Sequence, residues 1–376
     1  MLAALGYVIA DVAADGLTVQ FARREPVAVR GQTQTTVYLV RTLGQIVAVT
    51  VTGFGMNGPE YNGSFKSGIS FQTVMFIFFV PALVMIPVSW YGITEPQVDS
   101  RPSLRRYLDQ LWTLLESKAM FFVVIYQFFT PMVGNISTTA GGAVKKYWAE
   151  VEQLQNALFS LVGLALFALG LWLVKKYFLN YSWRGMLLIT TIVLNCIDMI
   201  FVYCTVYDVV RNQYFYLGET VLVEIPAAAN FVVATFYIVE MSDSHNEGLV
   251  YGLLTTIHNL GSPFARAIAN QLYVAFTPSL SDSTNYIEDT SEFRTTVANS
   301  FTLSYFFAFI AMVFVILLPS QKEEAQKRKK EWGGNVIFAR LTVTVLSMAF
   351  VYSVTINMLA MDERTMCLKI AGGDGC

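Results

Sequence analysis

The chain has 376 residues, of which 55% are hydrophobic, 14% aromatic and only 14% charged, and its formal net charge is −2. Soluble globular domains usually carry about 25% charged residues, so this composition, with a mean hydropathy of +0.50, excludes a protein whose only solvent is water. The apolar residues come in blocks of about 20, the length with which a helix spans a bilayer. We therefore predict an all-α polytopic membrane protein.

Ten apolar blocks are predicted to cross the membrane in turn. The connections after the first, third, fifth, seventh and ninth blocks hold 15 Lys and Arg residues, whereas the other four connections hold five. Because Lys and Arg stay on the cytoplasmic side, we expect the first set of connections to face the cytoplasm. The approximate bounds of the blocks are 1–13, 37–57, 69–93, 119–137, 154–174, 185–207, 219–240, 249–275, 298–319 and 336–361.

The first block holds about 12 residues and is too short to cross a bilayer alone. The charge count nevertheless places its beginning on the outer side. An odd number of spans upstream of Met1 would account for both features. We therefore interpret the chain as truncated at its amino terminus.

The polar segment 94–118, which contains EPQVDSRPSLRRYLDQLWTLLES, is the longest of the predicted cytoplasmic connections. It separates three blocks from the remaining seven and is predicted to be the boundary between two lobes. The run KEEAQKRKKEW after residue 320 is interpreted most simply as a solvated tail, with binding to anionic lipid as the alternative. The predicted parts are 1–93 (three spans), 94–118 (linker), 119–319 (six spans), 320–335 (charged cytoplasmic segment), 336–361 (a further transmembrane helix) and 362–376 (tail).

Asp11, Asp15 and Arg41 are the first ionisable residues in or beside the apolar blocks. Such residues are costly in a membrane and mark a solute pathway, a proton relay or a structural pair. Asp11 and Asp15 share a helical face and repel each other unless a base or a proton relieves them, and Arg41 is the expected partner of one of them. The residues leave a structural salt bridge and a role in substrate or proton binding equally open.

Glu224 and Asp198 are the next carboxylates within predicted spans. Pro226 follows Glu224 closely, and a proline frees a backbone carbonyl in a helix, as in the interrupted helices of transporters. Glu224 is therefore a candidate binding residue, or the neighbour of a simple kink. Asp198 has no partner in its own helix, so it is a candidate proton carrier or the acceptor of a hydrogen bond from another helix.

Polar residues interrupt two further blocks. Gln127 lies in IYQFFTPMVGN, and Asn259 and Arg266 lie in HNLGSPFARAIANQL. Gly and Ser in the second segment also suit close helix packing, whereas Arg266 requires an acid or an anion as partner. The sequence has no signature of a metal or nucleotide site, so we predict no metal, no cofactor and no enzymatic activity.

Two stretches of the chain resemble the folate-biopterin transporter (BT1-like) family of the major facilitator superfamily. The run DVAADGLTVQFAR with RGQTQTTVYLVRTLGQ is similar to the cytoplasmic end of the fourth helix, its loop and the fifth helix of that family. The stretch GETVLVEIPAAANFVVATFYIVEMSDSHNEGLVYGLLTTIHNLG is similar to its tenth and eleventh helices. The resemblance implies a superfamily-type helix bundle that lacks about three amino-terminal helices and carries one extra carboxy-terminal helix.

The resemblance further implies secondary transport of folates, pterins or similar heteroaromatic metabolites by alternating access, with protons as a candidate coupling ion. The expected partners are this small solute and the lipid bilayer, with no nucleic acid, and the expected location is the plasma membrane. Alternatives are a transporter of another metabolite such as S-adenosylmethionine, and a non-transporting receptor, scaffold or truncated remnant. On this interpretation Asp15, Arg23 and Asp198 serve coupling or gating, whereas the residues that bind substrate are Asp11, Arg41, Gln127, Glu224, Asn259 and Arg266.

Overall fold

The structure, a computed structural model, describes residues 2–26, 29–61, 63–93, 103–243, 246–371, 373 and 375. Within these residues the chain is helical, and its only extended pairing is an isolated bridge between Ser117 and Gly334. The α-helices of ten or more residues are α1 (Leu2–Arg24), α2 (Gln32–Gly55), α3 (Phe71–Gly92), α4 (Leu104–Glu116), α5 (Lys118–Gly134), α6 (Gln153–Leu173, continued by the π-helical turn Val174–Phe178), α7 (Trp183–Val206), α8 (Gln213–Leu222), α9 (Glu224–Met241), α10 (Glu247–Tyr273), α11 (Ser291–Ala311, continued by the 3-10 turn Met312–Leu317), α12 (Lys322–Glu331) and α13 (Val336–Met361).

Seven spans within the described residues are long and apolar enough to cross a membrane: α2, α3, α6, α7, the α8 and α9 pair, α11 and α13. Helix α5 is apolar but shorter. The two remaining predicted blocks, the first and the eighth, fall on α1 and α10. Every predicted block is therefore helical, and the prediction of an all-α polytopic membrane protein is confirmed.

The prediction for the first block is wrong in its length. Helix α1 has 23 residues and continues through Asp11 and Asp15 to Arg24. An ionised side chain does not interrupt the backbone hydrogen bonds of a helix, and here both carboxylates find partners on neighbouring helices. The polar residues that were expected to end the block thus lie on the inner turns of one long helix.

Hydrogen bonds between loops sort the connections into two faces. On the first, which we call the basic face, Arg30 pairs with Glu240 and the Trp183 amide donates to the Ser320 carbonyl oxygen. On the other, the opposite face, the Trp148 indole donates to the Tyr286 carbonyl oxygen. Because neighbouring connections alternate between the two faces, the chain crosses the bundle with each long helix, as the Lys and Arg distribution predicts.

Helices α4 and α12 lie in connections where no helix was predicted. Helix α12 is not a solvated tail, because it packs against α5 and α9 and buries Lys322 and Ala325. Its sequence explains why it forms: Glu323 and Glu324 occupy its first turn, and basic residues occupy its last turn. Acidic residues at the start of a helix and basic residues at its end interact favourably with the helix dipole.

The buried apolar residues form two clusters. The larger one joins α1 and α2 to the other helices through residues such as Val19, Tyr38 and Leu254. The second, around Trp148 and Tyr273, contains no described residue of α1, α2 or α3. Helices α1 and α2 therefore share a core with the rest of the described chain through the larger cluster, whereas no described residue of α3 belongs to either cluster.

Candidate functional site

Asp11 and Arg41 form an ion pair between α1 and α2. Arg41 Nη1 lies 3.9 Å from Asp11 Oδ1, and Arg41 Nη2 donates a hydrogen bond to the Tyr7 hydroxyl at 3.2 Å. The Arg41 and Asp11 side chains remain 43% and 36% exposed. This pair is long and open on one side, so a charged group of a solute can compete for either partner at small cost.

Asp15 lies one helical turn from Asp11 in a more closed environment. Its side chain is buried and interacts with the hydroxyl of Tyr251 from α10. The Tyr251 hydroxyl lies 3.4 Å from that of Tyr38 on α2. One carboxylate therefore ties three helices together through two phenols, an arrangement that suits gating or structural support better than contact with a solute.

Helices α1 and α10 cross at two glycines near the basic face. A Cβ atom added to Gly16 would lie 3.3 Å from the Cα atom of Gly248, so the two backbones touch there. Beyond this crossing, towards the opposite face, Ile9 on α1 and both Asn259 and Arg266 on α10 are exposed. We call the uncovered side of these two helices, between this crossing and the opposite face, the cleft.

The side of α10 that borders this cleft is polar along its length. Its exposed residues recur at helical spacing on one side of the helix. Among the described residues, no acid forms an ion pair with Arg266. The cleft therefore offers a guanidinium group with its bonding capacity free, and the exposed polar residues on this side of α10 are Thr256, Asn259, Arg266 and Asn270.

A cluster of charged residues, which we call the latch, closes the basic face. Arg30 Nη1 donates to both carboxylate oxygens of Glu240 at 3.0 and 2.9 Å, and Gln326 of α12 donates to Glu240 Oε2 at 2.9 Å. Lys329 lies 2.6 Å from Asp243 Oδ1. The latch joins the α1–α2 loop, the end of α9 and helix α12, so three separate segments must part before this face opens.

The backbone beside the latch is held in place by two further features. Arg23 donates to the carbonyl oxygen of Ser242, just beyond the end of α9. Gly31 has a φ of 105°, in the left-handed region that favours glycine. A Cβ atom added to Gly31 would also lie 2.8 Å from the Phe236 ring. The α1–α2 loop is therefore seated against α9 at backbone level.

Glu224 stands at the break between α8 and α9. Helix α8 ends at Leu222 and α9 begins at Glu224. Pro226, in the first turn of α9, has no amide hydrogen to donate to the Leu222 carbonyl oxygen, so the ladder of backbone hydrogen bonds is interrupted there. A Cβ atom added to Gly163 of α6 would lie 3.2 Å from Glu224 Cγ. Among the described residues, none donates a hydrogen bond to this half-buried carboxylate. The Glu224 carboxylate is therefore a hydrogen-bond acceptor, within a predicted span, that has no donor among the described residues.

Gln127 is engaged within the bundle. It is buried on α5, and its Oε1 atom lies 3.1 Å from Nδ1 of His258 on α10. Pro131 on the same helix packs against α10 at Gly261, where an added Cβ atom would lie 2.8 Å from Pro131 Cγ. The polar interruption of α5 therefore holds α5 and α10 together.

Asp198 accepts a hydrogen bond from another helix. The Tyr305 hydroxyl of α11 donates to Asp198 Oδ2 at 2.8 Å. Within the described residues, no hydrogen bond or ion pair links Asp198 to Asp11, Asp15 or Arg41. The two acidic centres are therefore separate.

The structure thus brings Asp11, Asp15 and Arg41 together, and places Asn259 and Arg266 on one side of the adjoining helix. Sequence reasoning missed Tyr251 and Glu240, which complete the first group and the latch. Glu240 was detectable, because it is an acid at the end of a predicted span. Tyr251 carried no signal, since one tyrosine among 19 gives no hint of which helix it faces.

Comparison with known proteins assigns the chain to a family. The profile of the BT1 family matches residues 1–332, a region that contains α1 through α12 and every residue named for the candidate site. No curated protein and no solved structure matches the chain. The chain therefore belongs to the BT1 family, the folate-biopterin transporter family, and is a multi-pass integral membrane protein of a transporter family.

Proposed function

We propose that the protein is a secondary transporter that carries folates, pterins or similar heteroaromatic metabolites across the plasma membrane by alternating access. The single observation that carries this proposal is the half-buried Glu224 carboxylate at the break between α8 and α9, which has no donor among the described residues. An ionisable group in a span is costly when it has no partner. A bound solute with hydrogen-bond donors would relieve that cost.

The chemistry of a pterin suits this carboxylate. Its amino group and adjacent ring N–H form a pair of donors, which matches the two oxygens of a carboxylate. A folate adds a glutamyl tail, whose carboxylates need cations. The candidate cations are Arg266 and Arg41, whose ion pair with Asp11 is long. Asn259 lies near the middle of α10, on the same side of the helix as Arg266.

Alternating access requires two faces that open in turn. The latch and the Gly16 crossing support a closed basic face, and the cleft between α1 and α10 supports an open opposite face. In this proposal residues 1–93 and 119–319 form two lobes that rock about the cleft, with 94–118 as their linker. Asp15 and Arg23 act in gating, whereas Asp11 and Asp198 are candidate proton carriers.

The test is uptake of radiolabelled folate and biopterin by cells that express the chain. We expect saturable uptake that Glu224→Gln abolishes while the variant still reaches the membrane, because the amide replaces one acceptor oxygen with a donor. The matched control is Glu288→Gln, which alters an exposed carboxylate outside α8 and α9 and should retain uptake. Wild-type uptake by Glu224→Gln would remove Glu224 from the mechanism.

Competition assays define the substrate class. Unlabelled pterins should compete with folate, so that folate uptake falls as the pterin concentration rises. S-adenosylmethionine should leave folate uptake unchanged. Uptake of S-adenosylmethionine alone would support a transporter of a different metabolite. Binding of folate without uptake would support a receptor instead.

A further inference from the structure

Helix α4 (Leu104–Glu116) has one apolar side, and only half of that side is covered by the protein. Leu104, Leu108, Leu111 and Leu115 recur at spacings of four and three residues, which places them on one side of the helix. Leu115 is 4% exposed, whereas Leu104 is 75% and Leu108 is 51% exposed. The first turns of α4 therefore present leucines that the described part of the chain does not cover.

The covered end of α4 is anchored where two spans begin. The Lys118 amide donates to the Gly333 carbonyl oxygen at 3.1 Å, and the Asn335 amide donates to the Glu116 carbonyl oxygen at 2.8 Å. These bonds tie the end of α4 to the starts of α5 and α13.

An aromatic residue marks the depth of this junction in the membrane. The Lys118 ammonium lies 5.1 Å from the centre of the Trp332 ring, and the Phe122 ring lies 5.4 Å from it. Tryptophan beside basic residues is typical of the boundary between lipid and water. Helix α4 therefore ends at that boundary.

The charges on α4 are arranged for an anionic surface. Arg105 and Arg106 are exposed in the same turn as the uncovered Leu104 and Leu108. The acids, Asp109 and Glu116, come later in the helix, and neither forms an ion pair with these arginines in the described structure. Exposed leucines flanked by arginine are the features with which interfacial helices bind anionic lipids.

We propose that α4 is an interfacial helix whose first turns insert Leu104 and Leu108 into the leaflet at the basic face, where Arg105 and Arg106 bind the phosphates of anionic phospholipids. The charges select this occupant, because an arginine pair beside the leucines complements an anionic headgroup. Each basic residue near such a surface contributes about five-fold in affinity, equivalent to about 1 kcal/mol.

The test uses the full chain in lipid nanodiscs, with Cys196 and Cys204 replaced by serine. A fluorescent label is attached at Leu108→Cys or, as the matched control on the polar side of the same helix, at Thr113→Cys. Spin-labelled phosphatidylserine and spin-labelled phosphatidylcholine quench from the lipid, and iodide quenches from water. We expect the Leu108→Cys label to be quenched by lipid, several-fold more strongly by phosphatidylserine, and the Thr113→Cys label to be quenched by iodide.

Adding Arg105→Gln and Arg106→Gln should abolish the preference for phosphatidylserine at Leu108→Cys. Equal quenching by the two lipids in the parent protein would overturn the proposal. Equal lipid quenching at both label positions would also overturn it. A Leu108→Cys label that neither lipid nor iodide quenches would do the same, because that result means that protein covers this side of α4.

Discussion

Glu240 has the most buried carboxylate in the latch, and its partners come from two segments distant in sequence. Its side chain is 3% exposed and that of Arg30 is 14% exposed. Removing these two charges from water costs free energy, which their mutual attraction offsets. The arrangement is therefore stable only while both partners are present. Loss of one partner leaves the other charge buried and uncompensated.

Glu240→Gln should therefore destabilise the protein by about 3 kcal/mol, the scale on which breaking a buried pair acts. The matched control is Glu331→Gln at the exposed end of α12, which should be neutral. Thermal unfolding in detergent measures both variants. Equal melting temperatures for Glu240→Gln and the wild type would show that the latch contributes nothing to stability.

On the opposite face, Asp289 is the carboxylate that forms ion pairs with two arginines. It lies 2.5 Å from Arg211 Nη1 and 2.6 Å from Arg294 Nη2. Burial alone would raise the pKa of this carboxyl, but hydrogen bonds from Arg294 and Arg211 outweigh it and lower the pKa from 3.8 to about 2. A folded-state pKa below the unfolded value stabilises the fold above the unfolded value, and this stabilisation is lost as pH falls through about 2.

Asp289→Asn should accordingly cost about 2 kcal/mol at neutral pH. The difference from the wild type should shrink as the pH falls from about 5 to about 2, because the wild-type carboxyl then becomes protonated too. Chemical denaturation at several pH values gives both curves. A difference that does not change with pH would mean that the ionised carboxylate is not the source of the stability.

At the scale of elements, the sequence predicts where spans lie better than where they touch. The break at Glu224 follows from Pro226, because proline excludes a specific hydrogen bond. The crossing of α1 with α10 at Gly16 and Gly248 was not predictable, since a glycine in a helix does not reveal which neighbour approaches it. The composition of the 94–118 linker predicts a polar connection, but its residues described from 103 onwards include the amphipathic helix α4.

The crossing leads to a prediction at this scale. Gly16→Val should separate α1 from α10, because its side chain would meet the Gly248 backbone, which cannot rotate away as a side chain can. A cost of about 2 kcal/mol is typical of such overpacking. Gly6→Val in the same helix is the control, because nothing lies within 4 Å of a Cβ atom added there. Similar unfolding midpoints for the two variants would argue against a close crossing.

At the scale of the whole molecule, the distribution of Lys and Arg predicted the alternation of the loops, because membrane insertion acts on charge near each span. The pairing of Asp11 with Arg41 was likewise foreseen, since few ionisable groups are available within the apolar blocks. The latch was not foreseen, because Arg30, Glu240 and Gln326 lie in three separate segments. Cys367 is disulfide-bonded, and Cys376 lies outside the described residues.

We propose that the cleft between α1 and α10 receives the transported solute from the opposite face. The most direct measurement is the rate at which a membrane-impermeant thiol reagent labels Asn259→Cys in intact cells, in a background where Cys196 and Cys204 are serine. Ile200→Cys, on the exposed apolar side of α7, is the control for a lipid-facing position. We predict that Asn259→Cys is labelled rapidly, that folate and biopterin slow its labelling, and that Ile200→Cys is labelled slowly with or without them. Labelling of Asn259→Cys that is as slow as that of Ile200→Cys, or unaffected by either solute, would mean that the solute does not enter through this cleft.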